Sequence, residues 1–263
     1  MNYWTEQSIE FAGQRNYLDE LFKVYPLNPN LRRELSSEQV EAVRLAYDAR
    51  DNLRLIETLL DTKLFPLKDS YVPFLRHDRE ALKRNPQTVN RIAGNLYHMG
   101  FDEIIEKCTA PKETNRQMGP MFKNWIARNI IGVPVLNEPD DFLNMKNNCV
   151  LNSTDSEMKD FARKFLGFKR NKGIDFLAKF NGKYIVGEAK FLTDFGGHQN
   201  AQFDDALSTL HSFKRSEFLV IPIAIIDGVI YIKNRSKMYK HLSNHPEENI
   251  MSALVLRDFL YSL

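Results

Sequence analysis

Two carboxylates and a lysine are spaced so that a single hairpin could bring them together. Asp175 is separated from Glu188 by twelve residues, and Lys190 follows two residues later. Asn181-Gly182, midway between the carboxylates, is the strongest short-range signal for a two-residue type I′ turn. With that turn, Asp175 is predicted to lie directly opposite Glu188, with their Cβ atoms about 5 Å apart.

Carboxylates this close to each other favour a bound cation. Two like charges at this distance repel each other unless a cation lies between them. Mg²⁺ is the simplest choice, because it takes oxygen ligands and is usually held by only one or two protein carboxylates. Lys190 would lie on the same face as Glu188, roughly 7 Å further along the strand, where it can reach a phosphate or a water molecule. We therefore predict Mg²⁺ as the cofactor.

The same register divides the hairpin into two faces, because strand side chains alternate. One face gathers Asp175, Glu188 and Lys190. The opposite face is predicted to be buried, because Lys183 is its only charged member and the others are Ile174, Phe176, Ala178, Phe180, Ile185, Gly187, Ala189 and Phe191. A slip of one residue would put the two carboxylates on opposite faces. The alternative is a hairpin whose charged face is merely solvated.

Asp175 together with Glu188-Ala189-Lys190 on one hairpin resembles the active site of the PD-(D/E)xK nuclease superfamily, in particular its type II restriction endonucleases. Ile174 stands where that family often has proline. The resemblance implies that Asp175, Glu188 and the main-chain carbonyl of Ala189 are metal ligands. It also implies that Lys190 is the catalytic lysine, which positions or activates the attacking water, and that the reaction hydrolyses a phosphodiester bond.

Further side chains near the hairpin are candidates for contact with DNA. A basic run without acids precedes it, and a loop that contains Gly196-Gly197 follows it, where a backbone could approach a phosphate closely. The DNA-binding candidates are Lys169, Arg170, Lys172, His198, Gln199 and Asn200. Solvated surface and helix caps are the alternative roles for these residues. Glu113 is the candidate for an accessory acid that the family often supplies from a preceding helix.

The periodicity of apolar residues predicts two regions. Residues 1–110 are predicted to be helical, with segments over 5–24, 36–62, 86–99 and 102–107, and could serve DNA recognition or dimerisation. In residues 111–263 the hairpin, a helix, a strand over 217–226 and a returning strand over 229–233 are predicted to follow one another, which is the order that the resemblance implies for a nuclease core. Pro222 suggests that the third of these strands has an edge or a bulge. The predicted fold class is α/β (α+β), a restriction-endonuclease-like core with a central mixed sheet flanked by helices.

Composition excludes several classes of protein. The 263 residues are 43% hydrophobic and 27% charged, and the formal net charge is +2, which is typical of a soluble globular protein. The longest apolar run, over 218–226, is too short to span a bilayer, and the N-terminus lacks the pattern of a secretory signal. Cys108 and Cys149 have no CxxC spacing, which argues against a disulfide framework or a cysteine zinc site. We expect a cytoplasmic protein without a membrane partner.

The function predicted from these features is that of a type II restriction endonuclease, a hydrolase that cuts palindromic double-stranded DNA with Mg²⁺. Such an enzyme would act as a homodimer, since a two-fold protein matches a two-fold site. A cognate DNA methyltransferase would belong to the same system. Two alternatives remain open: a structure-specific repair or junction-resolving nuclease with the same residues, and a DNA-binding protein without catalytic activity.

Overall fold

The computed structural model describes residues 1–26, 32–111 and 117–263. The chain forms two compact units, one of Met1–Leu27 with Thr114–Leu263 and one of Asn28–Glu113. The predicted division at residue 110 assigns residues 1–26 to the N-terminal region, whereas Tyr17, Leu21, Val24 and Tyr25 pack with the sheet of the C-terminal part. Among the described residues, no helix has both the length and the apolar character needed to cross a bilayer.

The described residues of Asn28–Glu113 form six helices around their own apolar core. The predicted capping box is present at Ser36 and Gln39, and Pro86 and Gly100 begin and end the longest of these helices. The segment predicted as one helix over 36–62 is broken at Arg50, which has φ 54°. The helices are α3 (Ser37–Asp48), α4 (Asn52–Leu60), α5 (Val72–His77), α6 (Ala81–Arg84), α7 (Pro86–Met99) and α8 (Phe101–Cys108).

The other unit is built on a mixed sheet, and its described residues form six strands whose spatial order follows the chain. Strands β2, β3 and β4 are antiparallel neighbours, while the β1–β2, β4–β5 and β5–β6 pairs are parallel. This confirms the predicted fold class. The strands are β1 (Val135–Leu136), β2 (Cys149–Leu151), β3 (Phe176–Phe180), β4 (Lys183–Leu192), β5 (Val220–Gly228) and β6 (Ile250–Met251).

The return strand predicted over 229–233 is wrong. Gly228 has φ 97° and leads into a 3-10 turn at Val229–Tyr231, so β5 is not followed by a hairpin. The last strand of the sheet is β6, which pairs in parallel with Ala224 and Ile225 only. Pro222 therefore lies where β5 has no strand on its β6 side, and its missing N–H removes no ladder hydrogen bond there.

Helices cover both faces of the sheet. Helices α2, α9 and α14 pack on the face that carries Phe176, Phe180 and Ile185. The opposite face, which carries Leu177 and Val186, packs against α10, α11, α12 and α13. The helices of this unit are α1 (Tyr3–Ala12), α2 (Tyr17–Val24), α9 (Met118–Ala127), α10 (Pro139–Asn144), α11 (Asp155–Phe165), α12 (Gly197–Leu210), α13 (Lys237–Asn244) and α14 (Ala253–Ser262).

Lys179 on β3 is buried because helices cover both faces of the sheet. It is 7% exposed, although side-chain alternation places it on the same face as Asp175, which was predicted to carry the charged groups. Its ammonium donates to the carbonyls of Phe142, Leu143 and Met145 at 3.2, 3.0 and 2.8 Å. These carbonyls lie at the end of α10, where a cation is favoured by the helix dipole. Lys179 is therefore a structural residue that caps a helix.

A buried carboxylate joins the N-terminal helices to the sheet. Asp227 on β5 is fully buried and accepts hydrogen bonds from the Tyr25 hydroxyl at 2.8 Å, the Ser252 hydroxyl and the Ala253 N–H. Burial raises the pKa of Asp227 to about 6, and the three donors offset only part of this rise. Tyr25 follows α2 and Ser252 caps α14, so one side chain holds both helices on the strand.

We expect the Asp227→Asn variant to flatten the pH dependence of stability. The pKa of Asp227 is raised from 3.8 to about 6 on folding, so between these values the folded chain holds a proton that the unfolded chain has released. The free energy of unfolding therefore falls as pH rises through this window, by up to about 3 kcal/mol. Urea unfolding from pH 4 to 7.5 measures the slope. The exposed Asp258→Asn variant is the control and should keep the wild-type slope; an unchanged slope in Asp227→Asn would contradict the assignment.

Candidate active site

The hairpin has the predicted turn and the predicted register. Asn181 and Gly182 have φ values of 48° and 75°, as a type I′ turn requires. Pairing runs from Phe180 opposite Lys183 to Phe176 opposite Gly187. The ladder ends there, because the N–H of Asp175 donates to the Gly187 carbonyl at 3.2 Å rather than continuing the pairing toward Glu188.

Asp175 uses its carboxylate to hold the opposite strand. Its Oδ2 accepts a hydrogen bond from the Ala189 N–H at 2.9 Å. The N–H and C=O of a strand residue point to the same side of the strand, so the Ala189 carbonyl points toward the side on which Asp175 lies. Strand β3 has already ended at this level. The Asp175 carboxylate and the Ala189 carbonyl thus share one side of β4.

Glu188 is a carboxylate in the interior of the protein. It lies on the long strand β4 and is 1% exposed. Its Oε1 accepts hydrogen bonds from the ammonium groups of Lys172, at 2.5 Å, and of Lys190. Its Oε2 is buried, and no described residue offers it a hydrogen bond. A buried carboxylate oxygen without a partner is costly, so Glu188 is incompletely satisfied by the protein alone.

Asp205 on α12 is a third carboxylate that sequence reasoning missed. It contacts the Lys172 ammonium, lies 2.8 Å from the Arg170 guanidinium and lies 3.8 Å from the Lys190 ammonium. Arg170 also donates to the Thr209 hydroxyl at 2.7 Å. Arg170 and Lys172 were predicted as contacts to DNA, and in the structure they connect α12 to the carboxylates. The only sequence signal for Asp205 is its i, i+4 spacing from Thr209 beside an apolar stripe.

The charged groups of the site shift one another's pKa values. Burial, followed by repulsion from Glu188, raises the pKa of Asp175 to about 7. Burial lowers the pKa of Lys190, but its attraction to Glu188, Asp175 and Asp205 outweighs this, so the net shift is upward. Lys190 is therefore a cation at neutral pH. The site combines two carboxylates that repel each other with a lysine that remains able to donate hydrogen bonds.

An open cavity of about 610 Å³ adjoins Asp175. Lys123 of α9 lines it, together with Asp155 and Ser156 from the first turn of α11. The Lys123 ammonium contacts the Asp155 carboxylate and donates to the Ser153 carbonyl at 2.9 Å. Asp175 thus lies at the edge of this cavity, whereas Glu188 is 1% exposed and is not among the residues that line it.

The remaining predicted DNA contacts differ in accessibility. Lys169 and His198 are exposed. Gln199 is buried and its side-chain oxygen accepts the Thr193 N–H at 3.1 Å, while the Asn200 amide donates to the Phe195 carbonyl at 3.0 Å.

The side chains of Gln199 and Asn200 thus hold the loop after β4 against α12. Glu113, the predicted accessory acid, lies outside the described residues.

The geometry can be compared with known proteins. A family model described as Tsp45I type II restriction enzyme matches residues 2–263. No curated protein matches the chain, and no solved structure matches it. The match covers the hairpin, the carboxylates and the helical unit, and it favours a restriction endonuclease over the repair nuclease and the non-catalytic protein.

We expect the Asp205→Ala variant to destabilise the fold by about 1–3 kcal/mol, because half-buried cations lose a charged hydrogen-bond partner. The neighbouring Asp204 is the matched control, since it pairs with Lys237 where both side chains are largely exposed. Asp204→Ala should cost at most about 1 kcal/mol. Urea unfolding of both variants in chelator at pH 7 gives the comparison. Equal losses would show that the contacts of Asp205 with Lys172 and Arg170 contribute no more than a surface pair.

Proposed function

The chain belongs to the Tsp45I type II restriction enzyme family and is thus a site-specific deoxyribonuclease that binds double-stranded DNA, and we propose that it hydrolyses the phosphodiester bond with Mg²⁺ at the end of the β3–β4 hairpin. The proposed ligands are Asp175, Glu188 and the Ala189 carbonyl. Lys190 is the proposed catalytic lysine. Each of these residues lies at the open end of the β3 ladder.

The buried Glu188 Oε2 is the observation that supports a metal most directly. It has no hydrogen-bond donor among the described residues, and the nearby Asp175 has a pKa raised to about 7 by burial and by Glu188. A cation bound by both carboxylates would give the Glu188 Oε2 a partner and offset the repulsion between Asp175 and Glu188. The residues present therefore fit a divalent ion.

The donor set favours Mg²⁺ over softer metals. All three proposed ligands offer oxygen, and Mg²⁺ is bound through oxygen, usually with few protein carboxylates. The chemistry supplied by such an ion is stabilisation of the negative charge that develops on the phosphate and a lower pKa for water.

The protein's own side chains position the reactants. Asp175 is held by the Ala189 N–H at 2.9 Å, so its second oxygen keeps a fixed direction. Lys190 is a protonated donor beside Glu188 and can orient either the attacking water or a phosphate oxygen. Lys172 is retained by Glu188 and Asp205 and adds a second positive charge for the DNA backbone.

DNA contacts are proposed for exposed residues around this site. Lys169 before the hairpin and His198 at the start of α12 are exposed and can contact phosphates. Arg170 and Lys172 contribute through the field of the site, because their side chains are engaged by Asp205. The proposed roles of Gln199 and Asn200 are indirect, since each holds the loop that leads into the start of α12, where His198 lies.

We expect Asp175→Ala and Lys190→Ala to lose at least about 100-fold in cleavage rate, because each removes a group that acts on the reacting atoms. Cutting of phage DNA with Mg²⁺, and its arrest by chelator, is the measurement. Asp204→Ala and Lys237→Ala, which alter an exposed ion pair, are the matched controls and should cut normally. A fully active Lys190→Ala enzyme would contradict the proposed role of the lysine.

We also propose that the enzyme acts as a homodimer on a palindromic site, alongside a methyltransferase that protects the same sequence. Two active sites related by two-fold symmetry are then needed to cut both strands. A mixed dimer of wild-type and Asp175→Ala chains, separated by different tags, should nick its site on one strand. The wild-type dimer is the control and should cut both strands. Complete double-strand cleavage by the mixed dimer would contradict the proposal.

A further inference from the structure

A second cluster of potential metal ligands lies at the end of α13 and shares no residue with the hairpin. His241 in the last turn of α13, His245 just after that helix and Glu248 in the following loop each offer one ligand atom, and these atoms lie within 4.8 Å of one another. The two histidines are four residues apart, which places their rings on one helix face. The rings stack with centroids 4.1 Å apart.

Glu248 is the centre of this cluster. Its residue is 4% exposed. Its Oε2 lies 2.6 Å from His241 Nε2, and its Oε1 lies 2.8 Å from Nε2 of His211, which follows α12. A buried carboxylate needs a positive charge or strong donors around it, and here imidazole nitrogens reach both of its oxygens.

Surrounding contacts hold these rings in place. The His241 ring packs edge-on against Phe203 with centroids 5.3 Å apart, and its side chain is 18% exposed. Glu247 Oε1 lies 3.0 Å from His245 Nδ1, the carboxylate–histidine pairing that is usual for imidazoles that bind metals. The cluster thus has ligands and supporting contacts.

We propose that His241, His245 and Glu248 bind a divalent transition-metal ion of the Zn²⁺ type. Imidazole and carboxylate are ligands of such ions, and His-x₃-His is a common zinc spacing. Two ligands at about 2.1 Å in a tetrahedral site are separated by roughly 3.4 Å. The 2.6 Å contact between Glu248 and His241 would widen by less than about 1 Å when both side chains bind the ion.

The proposed ion is structural and separate from catalysis. Its ligands join the end of α13 to the loop that enters β6, and Glu248 also contacts His211 at the end of α12. Helix α12 also carries Asp205, which holds Lys172 at the hairpin. An ion at this position would stabilise the helix layer that supports the active site. Mg²⁺ is a poor candidate for this site because two of the three ligands are nitrogen.

The test uses the full chain with Asp175→Ala as background, so that the hairpin site is disabled. After removal of metals with chelator, Zn²⁺ is titrated by calorimetry and the unfolding temperature is followed. We expect one ion per chain, and a rise of roughly 5–10 °C at one hundred times the dissociation constant. Replacement with Co²⁺ should give the intense visible bands of a tetrahedral site.

Two further variants on that background locate the ion. His245→Ala changes a partly exposed ring and should weaken Zn²⁺ binding at least about tenfold while keeping the unfolding temperature of the metal-free chain. His77→Ala, an exposed histidine of the helical unit, is the matched control and should bind like the background.

Equal Zn²⁺ binding by the His245→Ala and His77→Ala chains would overturn the proposal, as would the absence of binding in the background chain. The cluster would then be a network of histidine–glutamate ion pairs only. Every chain compared carries Asp175→Ala. Neither result therefore depends on the proposed catalytic role of Asp175.

Discussion

A carboxylate buried in the middle of a covered sheet is the constraint on which the site depends. Glu188 is 1% exposed, and an ionised group in such surroundings must be paired. Lys172 and Lys190 supply positive charge to one oxygen only. Both lysines are partly buried and in turn require Asp205, which the Arg170 guanidinium holds in place. Groups from the loop before β3, from β4 and from α12 are therefore fixed by the burial of one residue.

The hairpin was predictable because its determinants are local. Asn181-Gly182 specifies the turn type, and the turn sets the register within a few residues on either side. Asp175, Glu188 and Lys190 could thus be brought together from sequence. The end of the ladder at Phe176 was not predicted, because it depends on two contacts of Asp175. Its N–H donates to the Gly187 carbonyl, and its carboxylate accepts a hydrogen bond from the Ala189 N–H. The Asp175 side chain thus takes the place of the next backbone acceptor of the ladder.

Features that join distant segments were beyond sequence reasoning. The bond between Lys172 and Asp205 spans thirty-three residues, and the bond between Tyr25 and Asp227 spans 202. No periodicity carries such information, so the segment over 5–24 was predicted within the N-terminal region, although α1 and α2 pack with the sheet. The return strand after Asp227-Gly228 was wrong for a related reason. The buried Asp227 carboxylate accepts hydrogen bonds from Tyr25 and Ser252, so Asp227-Gly228 does not form an exposed hairpin turn.

The charges of the site link metal binding to DNA binding. Asp175, Glu188 and Asp205 face Lys172, Lys190 and Arg170, so the carboxylates and the cations are equal in number in the absence of metal. With a divalent ion at the two hairpin carboxylates, as proposed, the same groups would carry an excess of positive charge. Asp175 would also be held in its ionised form, because a nearby cation favours the carboxylate. A phosphate is the natural counter-charge, since Asp175, Glu188 and Asp205 are already counted in this balance. Metal and DNA would then each strengthen the binding of the other, because each offsets the charge that the other leaves unbalanced.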